Sequence, residues 1–431
     1  MVSFSMGYPQ LGVLLDYDLP FIKIASAGNA DTDLIKIACE TVIGFDWHEH
    51  VMLGDGKSHY RKRKDSEKEA KRRLRERKML DINFYMQFDD IIQKLERKEI
   101  SNRIMLADEI EKIRSKNPVI YNIETTNRCN MRCQMCPRTT MMNRKIEDID
   151  KETFVKVVDQ IRPHTAKEWE KWKQFCETKY EICEDDVPSE NHFFLYIISK
   201  VIQLHGYGDP LLDKNMHEYI KILHERGFYS YFSCNPSNIN LELTYKMLDS
   251  GLDYIKYSIE SVDDTIHKMI RGEQSNFTES YKKILEVLDY KHKNHLNTTI
   301  VITMLDLNRS NQKEDYEKLL DAFAGLDVYI YLKSEDCQWY RKDFHGTKSI
   351  HWSEVCKHPW MTMTIKSNGE AAMCMEDFNN EIILGDTHQK TLKEIWDSDT
   401  YKKFRMAHID LEKGMKCNGQ CDMKLIGEYL G

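Results

Sequence analysis

From Val119 onward the apolar positions fall into short β-rich runs separated by stretches with helical spacing. VIYNIETT (119–126), KVIQLHG (200–206), FYSYFSC (228–234), DYIKYSIE (253–260), TTIVITM (298–304) and YIYLK (329–333) read as six strands. Between them, DKETFVKVVDQI (150–161) sets Phe154, Val157 and Val158 on one helical face. NMHEYIKILHERG (215–227) is a second helix, closed by Gly227 at a position that favours a left-handed cap, and ESYKKILEVLDYKHK (279–293) is a third. Strands alternating with helices predict a parallel α/β architecture with its chemistry at the carboxyl ends of the strands.

The pattern differs on either side of this block. PFIKIASAGNADTDLIKIACE (20–40) suggests a strand–helix unit, followed by a charged helical stretch and further helices to about Lys116, where Asn117-Pro118 breaks the run. The N-terminal region, 1–116, is therefore expected to be α-rich. From about His351, MTMTIKSNGEAAMCME (361–376) predicts a hairpin turning at Asn368-Gly369, and TLKEIWDSDTYKKFRMAH (391–408) a helix. These shifts divide the chain into 1–116, a 117–335 core and a small α+β region, 336–431. Residues His164 to Phe194, charged and Trp-rich, are too long for an ordinary connection and predict an inserted helix or lid. Cys176 and Cys183 within it read as small hydrophobes rather than ligands.

Charge and composition narrow the function. A net charge of −8 argues against nucleic acid or acidic lipid as a general partner. The local exception, Arg61 to Lys78, has 11 basic and 4 acidic residues; it reads as a solvated helix with i,i+4 ion pairs, with phosphate binding as the alternative. No run reaches the ~18 apolar residues of a membrane helix, and the first residues lack a basic n-region, so a cytoplasmic, soluble protein is expected. Twelve cysteines in a reducing compartment point to metal or catalysis rather than disulfides.

Their clustering is the stronger signal. TTNRCNMRCQMCPR (125–138) places Cys129, Cys133 and Cys136 at C-x3-C-x2-C in a loop directly after a predicted strand. Three thiolates can hold three irons of a cubane and leave the fourth open to a substrate. A structural zinc site would favour paired CxxC knuckles or a nearby histidine. The motif resembles the signature of the radical S-adenosylmethionine (SAM) superfamily, with Met135 standing where the family often has an aromatic residue. The resemblance spans about Val119 to Lys333. It implies a partial (β/α)6 barrel, a [4Fe-4S] cluster on Cys129, Cys133 and Cys136, and SAM bound to its open iron. One electron then cleaves SAM to methionine and a 5′-deoxyadenosyl radical that takes hydrogen from a substrate.

Further segments resemble the family's SAM contacts. Gly206-Tyr207-Gly208-Asp209 is similar to its GGEP-type segment, with Asp in place of the commoner Glu. Ser233 and Asn235 stand where the family often contacts SAM, Ser258 and Glu260 at the ribose-contacting strand end, and Arg271 where an arginine can pair with the SAM carboxylate. Near the C-terminus, Cys356, Cys374, Cys417 and Cys421, with the hairpin glycine and a Leu-x-x-x-Trp helix, resemble the SPASM/twitch extensions of these enzymes. Four cysteines imply one fully ligated auxiliary [4Fe-4S] cluster suited to electron transfer; Cys337 could replace one ligand, and a structural zinc site is the alternative.

The resemblance implies an oxidoreductase or related C–H-functionalising enzyme acting on a small polar metabolite such as a sugar or amino sugar. A short likeness of LPFIKIASAGNADTDLIKIA to the strand–helix of sialic-acid synthases points the same way. Flavodoxin or ferredoxin would supply electrons; Glu376 and Asp377, close after Cys374, read as surface carboxylates, with a place on the substrate side as the alternative. The second reading is a peptide maturase with a leader-binding domain in residues 1–115, where no three-strand, three-helix pattern is evident. The third is a non-enzymatic iron–sulfur or zinc protein binding nucleic acid.

Overall fold

The computed structural model describes residues 81–334 and 355–410, with the strands at 2–5, 11–15, 22–26, 50–51, 61–62 and 424–425. Cys337, Cys417, Cys421 and the 63–78 part of the basic stretch lie outside the described residues. The chain divides into two compact units, Met1–Arg73 with Ile182–His192, and Leu74–Glu181 with Phe193–Gly431.

The first unit contains the strand of the expected strand–helix unit, Ile22–Ser26, and adds two strands before it; the helix of that unit lies outside the described residues. β1 (Val2–Ser5), β2 (Leu11–Leu15) and β3 (Ile22–Ser26) form an antiparallel sheet in that order. The reason is legible in retrospect: VSFS and IKIAS alternate large apolar with small or polar residues, the period of a strand. β4 (His50–Val51) pairs with β5 (Arg61–Lys62), so the basic run begins in a strand and not in a helix. The further helices expected before Lys116 are present at Ile82–Glu96 and Arg103–Ile113, in the second unit.

In the second unit, β6 (Val119–Ile123), β7 (Val201–Gln203), β8 (Tyr229–Cys234), β9 (Tyr254–Ser258), β10 (Thr299–Asp306) and β11 (Tyr329–Ser334) are the six predicted strands. Each is hydrogen-bonded in parallel to its sequence neighbour, which is the pairing of a partial (β/α)6 barrel. Helices at Lys151–Val158, Met216–Glu225, Leu241–Asp249, Phe277–Lys293 and Gln312–Ala322 connect them. Asp150, Asn240 and Asn276 cap three of these helices with side-chain oxygens that accept backbone N–H bonds. One sheet face packs on the helices through Ile202, Phe232, Ile255, Ile300 and Ile302 with Phe154, Leu223 and Ile284. Strand alternation turns Gln203, Ser233, Lys256, Ser258 and Thr303 to the other face.

The C-terminal region extends this sheet. β12 (Val355–Cys356) is followed by the predicted hairpin, β13 (Thr362–Ile365) and β14 (Glu370–Ala372), and then by β15 (Ile383–Asp386). β13 runs parallel to β6, so the sheet order is β11-β10-β9-β8-β7-β6-β13-β14-β15. β16 (Lys424–Leu425) pairs with β12. Gly369 turns the hairpin at φ +78°, and a Cβ there would lie 2.8 Å from His388 Nδ1. The single helix expected over 391–408 is two, Leu392–Trp396 and Asp399–Asp410. Trp396 is anchored in the break by donating from Nε1 to the Ser115 carbonyl (2.8 Å), and Arg405 lies over its ring.

Of the two options for the insertion, the structure shows a packed helix, Ala166–Tyr180, begun by a Thr165–Glu168 capping box. Its Trp172 is fully buried, meets Tyr85 edge-on and donates to the Leu195 carbonyl (2.7 Å). Cys176 on the same helix is buried, as expected, whereas Cys183 is exposed.

Candidate active site

β6 delivers the chain to the loop that carries Cys129, Cys133 and Cys136. Backbone bonds hold this loop from several sides. Arg132 N donates to Arg271 O (3.1 Å) and Gln134 N to Ile270 O (2.9 Å), using carbonyls at the end of the Asp264–Arg271 helix. The Asn127 amide donates to Lys145 O (2.6 Å) and accepts from Glu147 N (2.8 Å). Cys133 is buried, and Cys129 and Cys136 are half-buried. Burial pushes the Cys129 thiol up to about 11 and the Cys136 thiol up to about 12. At neutral pH these groups stay protonated until a cation displaces the protons.

Among the described residues no three His, Cys, Asp or Glu side chains converge to hold a single metal ion. The three thiols nonetheless lie within electrostatic range of one another. Three thiols on one loop can each bind one iron of a cluster.

The second wall is Gly206-Tyr207-Gly208-Asp209, after β7. Asp209 N donates to Arg128 O (2.6 Å), joining the two loops. A Cβ on Gly208 would sit 2.7 Å from the Thr126 carbonyl carbon, and one on Gly206 2.7 Å from Glu124 Cδ, so both glycines are required by close approach. The Asp209 carboxylate is buried and accepts from Leu211 N (3.0 Å), Asn235 N (3.1 Å) and Asn238 Nδ2 (2.8 Å). It therefore organises the turn after β8; burial, opposed by these bonds, leaves its pKa raised. The Asn235 side chain accepts from Ser237 N (2.9 Å) and donates to Ser275 Oγ (2.9 Å). Ser233 and Ser258 face each other on β8 and β9, with their hydroxyls 3.4 Å apart.

Glu260 and Arg271 are found on each other. Arg271 Nη2 pairs with the buried Glu260 carboxylate, while its Nη1 lies 3.7 Å from Cys133 Sγ. The guanidinium is thus directed at the three-cysteine loop. Glu260 Oε2 also accepts from Leu305 N (2.9 Å), and Glu260 N donates to Nδ1 of the buried His267 (3.2 Å). Burial, with Arg271 nearby, pushes the His267 imidazolium down to about 4. An unfolded chain holds histidine near 6.5, so below that pH it binds the extra proton and the folded chain does not. Stability present above pH 6.5 is lost as pH falls toward 4, by roughly 2 kcal/mol at pH 5. Urea denaturation at pH 7.5 and pH 5 should show this loss in the wild type, and His267→Gln should remove most of it.

Two of the four C-terminal cysteines, Cys356 and Cys374, lie among the described residues. Cys356 and Cys374 are both buried and both within electrostatic range of Tyr401; Cys374 Sγ accepts from Glu376 N (3.4 Å). Asp377 is a turn residue, accepting from Glu381 N (2.9 Å) and Ile382 N (2.7 Å), whereas Glu376 accepts from Tyr207 Oη (3.0 Å).

A buried charge cluster escaped the sequence reading. Glu124, fully buried one residue beyond β6, accepts from Arg144 Nη2 (2.8 and 2.7 Å), Tyr207 N (3.0 Å) and Ser367 N (3.2 Å). Arg144 and Lys366, cations beside it, outweigh its desolvation and hold its pKa below the usual carboxylate range. Burial pushes Lys366 below the usual lysine range, opposed by Glu124. Nothing in a lone glutamate after a strand announces this role.

Two family matches bear on the arrangement. Residues 196–321 match the Radical SAM superfamily, and residues 356–422 match SPASM, an iron-sulfur cluster-binding domain. Over 196–321 the chain is thus similar to radical SAM enzymes, and over 356–422 to their iron-sulfur extension. Its radical SAM match begins beyond Cys136 and the inserted helix, so the three-cysteine motif lies outside the matched segment. The two domains imply [4Fe-4S] clusters and SAM as cofactors. Over 330 residues the chain is 21% identical to a tungsten-containing aldehyde ferredoxin oxidoreductase cofactor-modifying protein of Pyrococcus furiosus, covering 66% of this chain and 82% of that protein. Over 190 residues it is 23% identical to an AdoMet-dependent heme synthase of Nitratidesulfovibrio vulgaris, covering 39% of this chain and 50% of that one. The crystal structure of Streptococcus suis SuiB bound to S-adenosylmethionine is similar with a TM-score of 0.42 at 13% identity, over 74% of this chain and 78% of that one. Among the described residues no helix is long and apolar enough to cross a membrane.

Proposed function

We propose that the protein reductively cleaves SAM and uses the 5′-deoxyadenosyl radical to oxidise a small polar metabolite such as a sugar or amino sugar. One observation carries the reading: the C-x3-C-x2-C loop and the GYGD loop lie in direct backbone contact at the carboxyl ends of adjacent parallel strands. In this reading Cys129, Cys133 and Cys136 hold the SAM-binding cluster, and Cys356, Cys374, Cys417 and Cys421 hold an auxiliary cluster. The bound cluster and SAM supply the electron and the radical. The chain's own residues hold the geometry: Gly206 and Gly208 admit the close approach, Asp209 fixes the 235–238 turn, and Ser233 and Ser258 offer hydroxyls beside it. The substrate would lose a hydrogen atom to the radical, a proton to a base and one electron to the auxiliary cluster, a two-electron oxidation overall. Flavodoxin or ferredoxin would deliver the electron that cleaves SAM. Domains would run 1–116, 117–335 and 336–431.

The partly exposed Ser233 and Ser258 hydroxyls on β8 and β9 support a polar substrate. The names of the two curated relatives, a cofactor-modifying protein and a heme synthase, support a small molecule. The antiparallel β1–β2–β3 sheet favours a second reading, a peptide substrate bound along one of its outer strands. Perdeuterated sugars and amino sugars, and separately deuterated peptides, would be supplied to the reconstituted, reduced enzyme with SAM. Deuterium appearing in 5′-deoxyadenosine from a sugar is the expected result; transfer only from a peptide would establish the second reading instead.

A further inference from the structure

The Glu124 cluster spans two loops that the proposed chemistry keeps apart. On one side it grips the SAM-binding half: Glu124 Oε1 accepts from Tyr207 N, and Arg144 lies eight residues beyond Cys136. On the other it grips the C-terminal hairpin. Glu124 N donates to Ile365 O (2.8 Å), Ser367 N donates to Glu124 Oε2, and Arg144 Nη1 donates to Asn380 Oδ1 (3.0 Å). Lys366 closes the set. It is buried, its Nζ donates (3.1 Å) to the carbonyl oxygen of Met375, the residue after Cys374, and Cys374 lies within electrostatic range of it. Asp377, also fully buried, is a further carboxylate within electrostatic range of Lys366. Two cations and two carboxylates are thus locked into one water-poor junction.

Burying such a set costs several kcal/mol of desolvation per ion, and well-packed apolar residues would hold the hairpin as firmly. A charge retained in low dielectric acts strongly on any neighbouring group whose charge changes. A cluster held by four thiolates becomes more negative on reduction, and net charge and hydrogen bonds near its sulfurs set its potential.

We infer that Lys366 is a positioning residue that raises the reduction potential of the auxiliary cluster at Cys374, and that Glu124, paired to Arg144, limits how far it does so. This rests on the auxiliary-cluster reading above. By favouring the form that holds the extra electron, Lys366 makes the auxiliary cluster a better acceptor from a substrate radical. Glu124 joins that control to the SAM loop through Tyr207 N.

The test is a redox titration, followed by electron paramagnetic resonance, of the full-length, anaerobically reconstituted protein. The Cys129/Cys133/Cys136 triple-alanine chain assigns the auxiliary signal. Lys366→Met should lower the auxiliary midpoint, cutting the reduced-to-oxidised ratio at a fixed potential about tenfold, or about 59 mV for a one-electron couple. Lys366→Arg should restore the wild-type midpoint, and Glu124→Gln, which keeps the cations and removes the anion, should raise it. An unmoved midpoint in Lys366→Met or Glu124→Gln, with wild-type iron content and a cooperative unfolding transition, overturns the inference. Absence of iron from the triple-alanine chain would instead remove the auxiliary cluster, and the inference with it.

Discussion

A chain with Cys129, Cys133 and Cys136 all replaced by alanine is expected to bind about four fewer irons than the wild type and to keep its fold. The iron loss follows from the donor set: no other His, Cys, Asp or Glu among the described residues completes a metal site there. The fold should survive because the loop is held by backbone and amide bonds, from Arg132 N, Gln134 N and the Asn127 side chain, and these use no sulfur. The Cys129 and Cys136 thiols are already raised by burial, so their removal also takes away groups costly to ionise. Iron analysis after anaerobic reconstitution, with a urea transition on the same samples, checks both halves. A triple variant with undiminished iron would move the cluster elsewhere.

Gly208→Ala carries the next largest effect. The added methyl would lie 2.7 Å from the Thr126 carbonyl carbon and 2.9 Å from the Arg128 carbonyl oxygen. Both are backbone atoms, and neither can rotate away as a side-chain tip could. The GYGD loop and the cluster loop must therefore separate, breaking the Asp209 N to Arg128 O bond between them. Overpacking of this kind costs about 1–3 kcal/mol of stability. The expected functional loss is at least about tenfold in SAM affinity, equivalent to about 1.4 kcal/mol, because the two loops that wall the site move apart. Anaerobic equilibrium dialysis with SAM measures it, and unchanged affinity would detach the GYGD loop from SAM binding.

The six barrel strands were legible because each is a short β-rich run bounded by helical spacing, and local periodicity reports local structure. The spacing of Cys129, Cys133 and Cys136 is itself a sequence feature, and the structure sets all three in the one loop after β6. What escaped depends on partners far along the chain. Thr362 pairs in parallel with Val119 across more than half the sequence, and nothing in either strand names the other. The same fold-over buries Glu124, Arg144 and Lys366 together, although each alone looks like an ordinary surface charge. Glu260 and Arg271 were both picked out for SAM, yet their closest partners are each other and Cys133, a juxtaposition set by the approach of the Asp264–Arg271 helix. The break at Asp397-Ser398 interrupts a run with good helical propensity because Trp396 must reach Ser115, a tertiary demand that overrides propensity.

The central claim is that this chain uses its three loop cysteines to cleave SAM. The most direct measurement is 5′-deoxyadenosine formed from SAM by the iron-loaded protein after dithionite reduction under strict anaerobiosis, beside the triple-alanine chain. The account predicts 5′-deoxyadenosine and methionine from the wild type and none from the variant. A fully iron-loaded wild type that binds SAM but leaves it intact, with and without candidate substrates, would contradict it.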